Sequence, residues 1–169
     1  MTESPKSRVR PKTIALAAGV AVVLVVGGVH AFDFLAPKDT TTVNEALDTS
    51  DPDLRQLTMG SFSGADRAHS VSGTATLYKD SDGLFIRFED YQATSGPDVY
   101  FFVSSAGDGE YRDSQVTRLL VPGGAEDGQA TLRGDFNVRL PAGLTASDVG
   151  SLIVWCDDFN VKFGHASLN

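Results

Sequence analysis

Apolar and polar side chains alternate with a period of two through most of the chain after residue 55. In the clearest run, one side of the chain carries residues of a single parity: His69, Val71, Gly73, Ala75 and Leu77. The opposite side carries more polar residues: Ser70, Ser72, Thr74, Thr76 and Tyr78. Such alternation is typical of a β-strand that buries one face, and no helix longer than about two turns is indicated after residue 54. The chain is therefore predicted to be all-β.

Turn signals divide this region into short strands. The segment 80–83, Asp-Ser-Asp-Gly, predicts a hairpin turn, and Gly96-Pro97 opens a continuous apolar run that is typical of a central strand. After the strand at 69–78, the pattern predicts strands at Leu84–Glu89, Val99–Val103, Val116–Val121, Gln129–Leu140, Leu152–Cys156 and Phe159–Leu168. Seven to eight or more short strands with such turns predict an antiparallel β-sandwich.

A long uncharged run precedes the strands. Residues 14–32 are aliphatic or small apart from His30 and the terminal Phe32, and as a helix these 19 residues would span about 28 Å, close to a membrane's hydrocarbon core. Basic residues dominate the flank before it: Lys6, Arg8, Arg10 and Lys12, against Glu3. By the positive-inside rule, we predict a cytoplasmic N-terminus at 1–12, a signal anchor at 13–35, a linker at 36–55 and an extracytoplasmic domain at 56–169. The predicted localisation is a single-pass cell-membrane protein.

Two alternatives remain open for the apolar run, and one for the linker. The run could be a cleaved signal peptide, with Val29-His30-Ala31 as the cleavage triplet, or a buried core helix, which its lack of a polar face disfavours. In the otherwise polar linker, a short helix over Val43–Leu47 with Thr42 as its cap is possible.

The charge balance excludes some partners. From Thr40 onward, 9 Lys and Arg residues stand against 19 Asp and Glu residues, which leaves a net charge of 9 − 19 = −10. A surface this acidic disfavours nucleic acid and anionic lipid headgroups. The membrane contact that we predict is therefore the N-terminal helix alone.

Cys156 is the only cysteine in the chain, so an intrachain disulfide is impossible. It shares a face with Leu152 and Val154, and Asp157 and Asp158 follow it. Two neighbouring carboxylates oppose formation of a thiolate unless a bound metal or haem iron offsets them. The absence of a second cysteine disfavours a zinc site, a covalently attached haem and a dithiol switch. The residues leave two uses open, a cofactor ligand or a buried thiol that only packs.

Four further residues are candidates for the site. His69 is in phase with the apolar side of its strand, where a neutral imidazole ligates a metal or bonds a carbonyl oxygen. Asp98 lies in a predicted turn and could orient a histidine, and Trp155 is expected in the core or at its rim. His165 faces solvent if a bulge at Gly164 shifts the last strand, and otherwise faces inward.

Several separated motifs resemble one family. In order they are Gly60-x-Phe62, His69-x-Val71-x-Gly73, Phe88-Glu89-Asp90-Tyr91, Gly96-Pro97-Asp98-Val99-Tyr100, Leu132-x-Gly134, Pro141, Ile153-Val154-Trp155-Cys156, Phe159 and Phe163-Gly164-x-Ala166-x-Leu168. This ordered set resembles the DM-thirteen domain family, labelled an electron-transfer domain and a distant relative of the DOMON haem- and sugar-binding sandwiches.

The resemblance implies a redox role outside the cytoplasm, centred on Cys156 as a thiol or as the holder of a prosthetic group. Haem and copper are the cofactors considered, with His69 as the second candidate ligand and Trp155 and Asp98 as supporting residues. The alternative function is a non-redox binding or adhesion module in which Cys156 is only packing. Whether the chain is an enzyme stays open, but no nucleophile–base arrangement is visible and a stand-alone enzyme is not expected.

Overall fold

The computed structural model describes residues 41–121, 130 and 132–168. The predicted signal anchor and its basic flank lie outside these residues. Within the described part, no helix has the length and apolar character to cross a membrane.

The described residues form nine strands and two single turns of 3-10 helix. The strands are β1 (Thr41–Asn44), β2 (Arg55–Gly64), β3 (Val71–Asp80), β4 (Gly83–Ala93), β5 (Val99–Ser104), β6 (Val116–Arg118), β7 (Leu132–Arg139), β8 (Ser151–Cys156) and β9 (Val161–Ser167). The 3-10 turns are Asp113–Gln115 and Ala146–Asp148. The all-β prediction is confirmed.

The strands join into one continuous sheet in the order β1-β7-β4-β3-β2-β9-β8-β5-β6. Its bend lies in β2, whose first part pairs with β3 while Phe62–Gly64 pair with β9. The predicted sandwich is therefore corrected to a single curled sheet with a shared strand. Every pairing is antiparallel except that of β1 with β7.

Both halves of the curled sheet contribute to one apolar core. Leu77 and Phe88 come from the first half and Phe101 and Val154 from the second, and all four are fully buried. Strand β5 is buried along its whole length because a second cluster, built around Tyr100, Phe102 and Ile153, covers its outer face. This double burial explains the continuous apolar run that predicted a central strand.

A bulge in β4 aims two aromatic side chains at the same core. Residues 88 and 91 are three apart, so a regular strand would send them to opposite faces. The pairing with β3 and with β7 slips by one residue here, and Asp90 adopts a left-handed φ of 51°. Gly73 faces the bulge at φ 105°, where a Cβ would lie 2.6 Å from the Glu89 carbonyl oxygen. Phe88 and Tyr91 consequently both enter the core.

A second bulge lies in β9. Val154 pairs with Gly164 but Trp155 pairs with Lys162, which leaves Phe163 as the extra residue. Phe163 and Ala166, three residues apart, both lie in the main core as a result. The bulge considered at Gly164 is thus present, and His165 pairs with Ile153 on the outer face of the sheet.

Other predicted boundaries differ from the structure. Residues 41–44 form strand β1 instead of the start of a short helix, because they pair in register with residues 132–135 of β7. His69 precedes β3, and Phe159 lies in the turn before β9 with 52% of its surface exposed. The β1 pairing is a long-range contact that local propensity does not encode.

The ring of Phe88 is the centre of the aromatic core, at centroid distances of 4.4 Å from Phe136 and 4.7 Å from Phe101. We expect Phe88→Ala to lower the free energy of unfolding by about 3–5 kcal/mol, because the curled sheet cannot collapse into the cavity. Urea denaturation of the full chain measures this. As a control, Leu120→Ala, at a side chain 69% exposed, should change it by less than about 0.5 kcal/mol. Equal effects from the two substitutions would contradict this account of the core.

Candidate functional site

Cys156 is the last residue of β8, and its thiol points into the main core. It is fully buried and shares that face with Leu152 and Val154, as the sequence predicted. Its neighbours across the sheet are Val99 of β5 and Val161 of β9. Val161 is itself only partly buried, and the turn at 157–160 follows Cys156 directly.

His69 lies at the rim of the same core, in the loop between β2 and β3. Its ring packs against Phe163 at a centroid distance of 4.7 Å, and 27% of its side chain is exposed. Asp66 orients it: the Asp66 carboxylate lies 2.8 Å from His69 Nδ1 and accepts the backbone N–H groups of Ala68 and His69. The bond to the His69 side chain, with these backbone bonds, holds the Asp66 pKa below its usual value.

Cys156 and His69 lie on elements that are not adjacent in the sheet. Strand β9 lies between β8, which carries Cys156, and β2, which leads into the His69 loop. Two strand spacings amount to roughly 10 Å between the outer backbones, and the Phe163 ring of the intervening strand packs on the imidazole. A metal bound by both residues would need its S and N ligand atoms within about 4.4 Å of each other.

The two supporting candidates are neighbours of Cys156, one along the chain and one across the sheet. The Asp98 carbonyl oxygen accepts the Asp157 backbone N–H at 2.9 Å, which closes the end of β5 onto the turn after β8. The carboxylate that orients His69 is that of Asp66, not that of Asp98. Trp155 is on the outer face of β8, opposite Cys156, and stacks on Tyr111 at 4.2 Å with an interplanar angle of 10°.

The outer face around Trp155 combines aromatic rings with charge. Tyr100, Phe102 and Ile153 are buried there, and Arg118 lies over the Tyr100 ring at 3.4 Å from its centroid. Burial raises the pKa of the nearby Asp157 carboxyl, and the charge of Asp98 adds to this, while Arg118 opposes it.

His165 is covered by a loop on this outer side, although the sequence had placed it in solvent if the bulge formed. The Gly109 backbone lies directly against the imidazole, where a Cβ would overlap the ring. Ser167 and Lys162 hold this loop by donating to the carbonyl oxygens of Gly107 and Gly109. Burial, followed by the charge of Lys162, lowers the His165 pKa.

Comparison with known proteins identifies the fold's family. The family model described as electron transfer DM13 matches residues 61–168. The chain belongs to this family. The match includes both Cys156 and His69, so the DM13 resemblance that the ordered motifs predicted is confirmed.

Curated relatives share only a segment with this DM13 chain. Protein Skeletor isoforms B/C and D/E of Drosophila melanogaster are each 33% identical to it over 100 residues, 59% of the chain. That segment is 12% of the first relative and 6% of the second. No solved structure matches the chain.

The described residues around Cys156 do not fit haem or copper. Haem requires a pocket of several hundred Å³ beside its ligand, whereas Cys156 is enclosed by core side chains. Two cavities, of about 370 and 720 Å³, lie near β4 and β7 in the described part of the chain, and neither is lined by Cys156 or His69. Among the described residues, no three His, Cys, Asp or Glu side chains are grouped as a metal site.

Two features of the candidate site were not predicted from the sequence. Asp66 lies three residues before His69, a spacing at which an aspartate caps a turn and reaches the later side chain, so this partner had a local signal. Tyr111 has none, because it meets Trp155 only after the loop that follows β5 folds back over the sheet.

Removing the hydrogen bond that His69 donates to Asp66 should raise the Asp66 pKa. We expect His69→Phe, which keeps a ring against Phe163, to raise the Asp66 pKa toward its usual value, while the backbone bonds keep part of the shift. Because the folded-state pKa is the lower one, the bond stabilises the fold above the ordinary aspartate pKa and is lost as the pH falls through the lowered value. Carboxyl-carbon NMR titration measures this, with Asp148, held by Thr145, as the unchanged reference. An unmoved Asp66 titration would contradict the assigned bond.

Proposed function

We propose that this chain is a membrane-anchored redox domain that works outside the cytoplasm, with the Cys156 thiol as its redox group. The observation that carries the proposal is the electron transfer DM13 match, which extends across Cys156. The anchor and its orientation are inferred from the apolar run and the basic flank before it. The acidic surface supports a protein or small-molecule redox partner in place of nucleic acid.

The position of the thiol sets how it would react. Cys156 is fully buried, so a reagent reaches it only after a local opening. The partly buried Val161 and the turn at 157–160 lie next to Cys156, so we infer that the local opening is a fraying of this end of the β8–β9 hairpin. Such a thiol reacts slowly and selectively, unlike an exposed one.

A second function is favoured by the same burial. In a non-redox binding or adhesion module Cys156 would be core packing, as buried free cysteines usually are. Under that function Cys156→Ala costs about 1 kcal/mol of stability and changes nothing else. Sandwich-like folds serve both kinds of function.

A series of glutathione buffers, poised across the reduction potentials found outside the cytoplasm, distinguishes the two functions. With the full chain in lipid nanodiscs, we expect Cys156 to exchange reversibly with oxidised glutathione: the protein thiol becomes a mixed disulfide and one reduced glutathione is released. Acid quenching, alkylation and mass spectrometry quantify the two forms. Val154→Ala, on the same buried face, is the matched control; it leaves the thiol intact and should only accelerate the exchange.

A thiol that stays reduced throughout the series, while the fold stays intact, would refute the redox function and leave the packing function. An absorption spectrum of protein from its native host tests haem and copper independently. A haem or copper band that disappears in Cys156→Ala would contradict our conclusion that the cysteine site fits neither.

A further inference from the structure

A groove of about 720 Å³ lies where the start of β2, the turn between β3 and β4, and the loop after β7 meet. Its lining is mainly apolar and includes Leu57, Leu84, Leu140, Pro141 and Leu144. Leu84 and Leu144 pack against the main core, whereas Leu57 is 41% exposed. An apolar groove with an exposed leucine at its rim is typical of a surface that a partner covers.

An acidic groove of about 370 Å³ adjoins the apolar one, because Asp82 and Arg139 line both. Four more carboxylates line the acidic groove: Glu45, Asp48, Asp51 and Asp80. Lys79 is the second cation, on the apolar side. The two grooves together therefore carry two basic and five acidic side chains, a net charge of 2 − 5 = −3. This charge is complementary to a partner that is positively charged.

The carboxylates of the acidic groove are not equally available to a partner. Arg139 donates to both oxygens of Asp80, at 2.7 and 2.8 Å, so the charges of these two residues offset each other. The backbone N–H and the hydroxyl of Ser81 donate to Asp51 and hold the Asp51 pKa below its usual value. The Asp82 carboxylate makes no ion pair or hydrogen bond within the described residues. Asp82 is thus the acid open to a cation where the two grooves meet.

The charge also decides between the possible occupants of this surface. In a two-fold contact between copies of the chain the same surface faces itself, so the five carboxylates would meet five others. The net charge of −10 from Thr40 onward adds to that repulsion. A basic segment of another protein is attracted by the same charges. Residues 141–143, which are exposed, form one wall of the apolar groove, so it is open to solvent and accessible to a length of polypeptide.

We propose that the two grooves form a docking surface for a segment of another protein that carries both apolar and basic side chains. An apolar side chain of that segment packs in the groove against Leu57 and Leu144, and a neighbouring lysine or arginine pairs with Asp82. The registers of β2, β9 and β8 place Leu57 toward the Ser151 end of β8, whereas Cys156 is at its other end. The docking surface goes beyond the proposed thiol function and does not require Cys156.

Fluorescence anisotropy with a labelled peptide of alternating leucine and lysine tests the surface. The full chain is held in nanodiscs of zwitterionic lipid, and the signal from empty nanodiscs is subtracted. We expect the double variant Leu57→Ser/Asp82→Asn to weaken binding about tenfold, because an apolar contact and an ion pair are lost together. Both positions are exposed, so the fold should stay intact, which circular dichroism checks. A peptide with serine in place of leucine should bind both forms equally weakly.

The matched control is Leu120→Ser/Asp113→Asn, which makes the same two chemical changes at exposed positions on either side of β6. It should alter the affinity by less than about twofold. Equal weakening by the two double variants would mean that the peptide only follows the overall negative charge, and would overturn the proposal. A dimer in sedimentation that Leu57→Ser abolishes would assign the groove to a second copy and would overturn it too. Cys156→Ala should bind the peptide normally, so failure here leaves the thiol function untouched, and a thiol inert to glutathione leaves the docking surface untouched.

Discussion

The bulge at Asp90 is the constraint on which the closure of the sheet depends. Without it, Phe88 and Tyr91 would leave β4 on opposite faces, and the core between the two halves would lose one of its largest side chains. With it, the rings of Phe62, Phe101 and Phe136 from three other strands meet both residues at centroid distances of 4.4–5.9 Å. These contacts hold the first half of the sheet against the second, and so determine which face of β8 is inside.

The two faces of strand β8 carry different functional groups. Cys156 and Trp155 are adjacent in sequence, yet the pleat sends the thiol into the core and the indole to the outer cluster. The thiol is shielded by valines and reached only through local opening. The indole is half-buried and stacks on the ring of Tyr111. One short strand thus carries a protected group and an accessible one, separated by the thickness of the sheet.

The sequence predicted what depends on local alternation. The parity of Cys156 with Leu152 and Val154 follows from a period-two pattern, and the burial of β5 on both faces follows from its continuous apolar run. The direction of His165 had been left open, because it depended on whether a bulge formed in β9. The pairing of β1 with β7 and the continuity of the sheet through β2 could not be predicted, because they join residues far apart in the chain. The same holds for the site. Asp66 had a local signal three residues before His69, whereas the contact between Tyr111 and Trp155 exists only in the folded loop.

The separation of Cys156 from His69 bears on how a domain of this family could move electrons. A shared metal would need both side chains on one side of β9, but the Phe163 bulge fills that position and packs on the imidazole instead. The thiol chemistry that we propose for Cys156 therefore does not use His69 as a second ligand. It needs only a local opening at the turn between β8 and β9 that gives a reagent access to the sulfur.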